Sequence, residues 1–135
     1  MALVVPAVGE LVFLNYIVGV AAGSEELILR LFKSNNQPGQ TDILGDYTEA
    51  NFVGYAAIQI ASGDWTVTSG SPSQAAAPQQ IFTSSQNQTQ QRIYGYYYTR
   101  AVSGDLVAVE RFSDGPYTVA ALNDRVRVTP QITAN

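Results

Sequence analysis

The chain has 135 residues, of which 46% are hydrophobic and 13% charged, and its formal net charge is −4. That length suits one domain with one core, and the acidic balance argues against a nucleic-acid binder, which needs a basic face for phosphate. With neither His nor Cys, Ser-His and Cys-His nucleophiles, imidazole-bound zinc, thiolate metal sites and disulfides are all excluded.

The charged fraction is about half of the usual ~25%. Gln, Asn, Ser, Thr and Tyr cover the surface in its place, which suits a protein lying against other proteins in a large assembly. The opening stretch Met1 to Pro6 has no polar face, so Leu3, Val4 and Val5 are candidate protein contacts. From Gly9 to Val20, Leu11, Leu14, Ile17 and Val18 share one side at helical spacing, with Glu10 in the first turn and Gly19 near the end. This predicts a short helix; an apolar arm packed on a neighbouring subunit is the alternative. Leu11 to Ala22 also resembles the apolar centre of a secretion signal, but no Lys or Arg precedes it and Glu10 abuts it, so no cleaved signal is expected. The run is shorter than the ~20 apolar residues of a membrane span.

After Glu26 the period changes to two. Leu27, Leu29 and Leu31 alternate with Ile28, Arg30 and Phe32, a strand with two partly apolar faces. The turn formers Ser34 to Gly39 end it, and a long loop to about Asn51 follows. Within that loop Asn35, Asn36, Asp42 and Asp46 are candidate protein contacts. Further strands are predicted over 54–60, 65–68, 81–83, 92–99, 106–112, 117–121 and 125–132, with Ser69 to Gln80 read as a loop without periodicity. Seven or eight punctuated strands after one helix predict a mainly β chain: a β-sandwich of jelly-roll kind, one domain over 1–135, with 1–23 as arm or helix and 24–135 as the sandwich.

Little remains for catalysis except a carboxylate pair of glycosidase type. Glu110, the one acid in the middle of a strand, is either such a group or an outward residue paired with Arg111, Arg100 or Arg92, and the second reading is favoured. Asp42, Asp46 and Glu49 could offer oxygens to Ca²⁺, but their spacing is not that of a Ca²⁺ loop. No catalytic, cofactor or metal residue is therefore assigned. Tyr94, Tyr96 and Tyr98, placed on one face of a strand, form with Trp65 the most distinctive cluster. They read as core or subunit interface, or as an aromatic platform for a ligand.

The segments LILRLFKSN, TEANFVGYAA, IYGYYYT, VAVERF and DRVRVTPQIT, with the single Trp65, resemble in order and phrasing a set of small virion proteins of tailed bacteriophages. The build is similar to head decoration, or cement, proteins. The resemblance implies a homo-oligomer, a trimer, seated on the major capsid protein at the phage head surface and made in the host bacterial cytoplasm. It implies no enzyme activity, no cofactor, and neither nucleic acid nor membrane as partner. A tail-fibre or baseplate β-domain binding host glycan is the alternative, motivated by the Tyr row and Trp65.

Overall fold

A computed structural model describes residues 6–21 and 23–134. The chain is mainly β: one helix, α1 (Ala7–Ile17), precedes eleven strands. These are β1 (Leu27–Phe32), β2 (Ile58–Ile60), β3 (Thr66–Thr68), β4 (Ser73–Ala76), β5 (Gln80–Thr83), β6 (Gln91–Ile93), β7 (Gly95–Arg100), β8 (Leu106–Arg111), β9 (Tyr117–Val119), β10 (Arg125–Val128) and β11 (Gln131–Ala134). All pairings are antiparallel, in sheets ordered β2-β1-β7-β8, β11-β4-β3, β10-β5 and β6-β9.

The four-stranded sheet separates two clusters, because its central strands carry apolar residues on both faces. Leu27, Leu29 and Leu31 of β1, with Tyr96 and Tyr98 of β7, point into the main core. There they meet Trp65, Phe82, Ile93, Val119, Val126 and Val128 from the other sheets, and Leu14 and Val18 from the helix side. Each fully buried aliphatic side chain of this kind contributes roughly 1.5–3 kcal/mol. Phe32 and Tyr97 point the other way and pack with Tyr47, which the 33–51 loop lays across that face.

The structure has more strands than the seven or eight expected, for three local reasons. The 92–99 run is two strands, since β6 pairs with β9 while β7 joins β1 and β8. Tyr94 stands at the junction, its N–H donating to Phe32 O and its carbonyl accepting from Phe112 N–H. The 125–132 run likewise divides before Pro130, whose carbonyl accepts from Ala77 N–H. Finally, β4 lies inside the supposed 69–80 loop, as the middle strand between β3 and β11. Its inward residues Ser73 and Ala75 are too small to mark an apolar alternation, and α1 packs directly over it.

The expected 54–60 strand is reduced to β2. Gly54 has φ +100°, and a Cβ there would sit 2.5 Å from Thr83 O, so the chain turns at this point, with Tyr55 N–H bonded to Phe52 O. The helix occupies Ala7–Ile17, not Gly9 to Val20, and Gly19 at φ +84° lies just past its end. No described helix is long and apolar enough to cross a membrane.

Candidate functional site

The 33–51 loop is held through Glu49, weighed above as a Ca²⁺ ligand, and through Arg30 and Tyr55, which the sequence pattern did not mark as its partners. On the outer face of β1, Arg30 Nη1 donates to both Glu49 oxygens at 3.1 and 3.0 Å, and its Nε to Thr99 Oγ1 at 3.0 Å. Tyr55 O–H donates to Glu49 at 2.6 Å while accepting from Leu31 N–H. Burial, reinforced by the Glu49 carboxylate, pushes the Tyr55 phenol far above its ordinary value. Around Arg30, Glu49, Tyr47 and Tyr97 lies a cleft of about 370 Å³. Its ionic groups already satisfy one another, so it offers a ligand few free donors.

The four loop residues expected to meet a partner also make hydrogen bonds within the protein. Asn35 Oδ1 and the Asn36 carbonyl both accept from Arg111 Nη1 at 2.7 Å, and the Arg111 guanidinium lies 5.1 Å from the Tyr94 ring centroid. Asn36 Nδ2 donates to Asp46 O. Asp42 accepts from Tyr47 O–H at 2.6 Å and from Gly39 N–H, and these bonds, the phenol's first, hold its carboxyl below the ordinary range. Asp46 accepts from Ile43 N–H. The Ca²⁺ possibility also fails to assemble, since no group of three acids among the described residues could hold a metal ion. Leu3, Val4 and Val5 lie outside the described residues.

The aromatic set divides. Trp65, Tyr96 and Tyr98 are buried in the main core, Trp65 and Tyr98 with ring centroids 6.3 Å apart. Their rings therefore present no open platform. Tyr94 does not share their face: the irregularity at the β6–β7 junction turns it to the Phe32–Tyr97 cluster. Glu110 is exposed on β8 and pairs with no arginine; it accepts from Tyr96 O–H at 2.6 Å, its cross-strand partner.

An exposed apolar face lies on α1. Leu14 and Val18 face inward with Glu10, which is buried near Ser73 Oγ at 3.4 Å. The outward face carries Val8 (72% exposed), Val12 (65%), Phe13 (55%) and Tyr16 (48%), with no charge among them. Arg100 lies over the Tyr16 ring at 6.0 Å. The two half-exposed rings alone offer on the order of 200 Å², given that such side chains bury 150–250 Å² each. With the valines the patch reaches the few hundred Å² of the largest apolar patch on a typical monomer, a patch that is often an interaction site. The i, i+4 spacing of Val8, Val12 and Tyr16 could have revealed this second apolar face, because a helix apolar on both sides has to be covered on both. Comparison with known proteins finds no matching family model, no similar curated protein and no similar solved structure.

Proposed function

We propose that this chain is a structural virion protein, a decoration or cement protein that binds the major capsid protein and stabilises the head of a tailed phage. In this reading its antiparallel sheets form a β-sandwich of jelly-roll kind, and it acts as a homo-oligomer, a trimer, without catalysis. The observation that carries the reading is the uncharged apolar face of Val8, Val12, Phe13 and Tyr16 on α1. A surface of that kind is suited to association with protein: its core is apolar, and the Arg100–Glu25 ion pair at 2.9 Å stands at its rim. Repeated around a symmetric shell, many modest contacts of this type add up to mechanical reinforcement. The family resemblance of the sequence supplies the phage head as the setting. A glycan-binding reading would need an open ring face on Trp65, Tyr96 or Tyr98, and all three are buried.

The test is imaging of intact particles at a resolution that places the chain, together with a Val12→Glu, Phe13→Glu variant. Stoichiometric density on the head, lost in the variant while its circular dichroism is unchanged, is the expected result. Density confined to tails, or a variant that decorates heads as well as the parent, would overturn it.

A further inference from the structure

Two sheet edges line one cleft on the side away from their sheets. β8 ends the four-stranded sheet and β11 ends the three-stranded one, and no described strand pairs with their outer sides. Between them lies a cleft of about 210 Å³ whose walls are Val109 and Glu110 on one side and Gln131 and Thr133 on the other, with Tyr96 and Tyr98 lining it. That is room for roughly seven waters at ~30 Å³ each, or for a short length of extended chain.

The direction of the backbone groups follows from the ladders. Phe112 N–H donates to Tyr94 O, and β7 pairs with β8 at Tyr96↔Glu110 and Tyr98↔Ala108. Alternation along an antiparallel strand then points Glu110 and Ala108 at β7, and turns the N–H and C=O of Val109 away to the open side. On β11, Ala77 N–H donates to Pro130 O and Ile132 pairs with Ala75, so Gln131 and Thr133 turn theirs to the open side too. Both walls of the cleft therefore turn main-chain donors and acceptors outward, at Val109 and Thr133, while the Gln131 N–H lies against the Tyr98 hydroxyl.

Two side chains add to this. The Tyr98 hydroxyl is buried beside the cleft, against the Gln131 main chain. Glu110 gives one oxygen to Tyr96 and is otherwise open, and no cation lines the cleft. The register shift opposite Tyr98 and Thr99 leaves Val107 as an extra residue, which bends the first half of β8 and confines regular edge to Ala108–Arg111.

We infer that this cleft receives an extended segment of a partner polypeptide, which adds as a strand between β8 and β11 and places a Lys or Arg against Glu110. Main-chain bonds to two edges supply the affinity, and the carboxylate supplies the selection for a cation. Binding of this kind does not depend on the chain's residing on a phage head.

The probe is an acetylated, amidated hexapeptide, Thr-Lys-Val-Lys-Val-Thr, beside its counterpart with Glu in place of both Lys. The Lys peptide is expected to slow amide exchange at Val109, Gln131 and Thr133 and to bind at least about tenfold more tightly than the Glu peptide. Val109→Pro removes the outward N–H, together with a valine side chain packed on the Phe32–Tyr97 cluster, and is expected to abolish binding. If that variant unfolds, Glu110→Lys takes its place and is expected to reverse the preference between the peptides. Absence of amide protection, equal binding of both peptides, or the same protection produced by N-acetylglucosamine would each overturn the inference.

Discussion

Gly95→Ala isolates the closest approach in the four-stranded sheet. Gly95 opens β7 opposite Phe32 on one side and Arg111 on the other. A Cβ built there falls 2.2 Å from Glu110 O and 2.5 Å from the Phe32 ring, and the oxygen belongs to a ladder that cannot yield independently. Relief requires β7 to part from β8 or from β1, and overpacking of that degree costs typically 1–3 kcal/mol, with a backbone obstacle at the upper end. For a chain of this length each kcal/mol lowers the midpoint by roughly 3–4 °C, so a fall of about 10 °C is expected. Differential scanning calorimetry measures it. Adding Phe32→Leu, which shortens the obstructing ring, should recover only part of the loss, because Glu110 O remains. A midpoint within about 2 °C of the parent would refute the steric argument.

Alkaline pH should unfold the protein. Burial raises the Tyr47 and Tyr97 phenols to about 12 from an ordinary value of 10.0, so the stability they contribute is complete below pH 10 and is lost as pH climbs toward 12; denaturant midpoints across that range should fall steadily. Acid acts through depressed carboxyls. Glu25, Glu26 and Asp124 are lowered chiefly by the backbone N–H groups of Ser103, Ser62 and Ala121, from values of 4.5, 4.5 and 3.8. Their contribution is present above those values and disappears as pH falls below them, and Asp124→Asn should flatten the acid limb of the melting profile. Tyr98→Phe removes a buried hydroxyl that makes no well-aligned hydrogen bond and should leave the midpoint close to the parent's, whereas Tyr96→Phe loses the Glu110 bond and should cost about 1 kcal/mol. Arg111→Ala frees Asn35 and the Asn36 carbonyl together. Limited proteolysis should then cut the 34–47 loop sooner, with far less change in the global midpoint.

The strands with large side chains are legible in the sequence because the two-residue period is direct: Leu27, Leu29 and Leu31 are all buried as their alternation implies. β4 is hidden because α1 lies above it and admits only Ser73 and Ala75, so the residues that make it central are the ones without a hydrophobic signature. The Tyr row reads as one face because alternation assumes an unbroken strand, and the junction at Tyr94 breaks it. Glu49 is noticed in the sequence only as an acid of its loop, and its pairing with Arg30 and Tyr55 is hidden because the three come from separate segments that only the fold brings together. The outward face of α1 is readable in principle from its own spacing, but the stronger inward set of Leu11, Leu14, Ile17 and Val18 masks it.

The place of β1 in its sheet also bears on how the chain is made. β1 pairs along its full length only with β7, from Leu27↔Arg100 to Phe32↔Gly95, and its contact with β2 covers three residues. On a ribosome adding 5–20 residues per second, those apolar leucines wait roughly 4–15 s for their main partner to be synthesised. During that interval LILRLF is a strand with both edges free, so birth, more than the finished state, is when this protein is most exposed to self-association. Slowing translation between residues 33 and 94 should therefore raise the insoluble fraction without altering the stability of what folds.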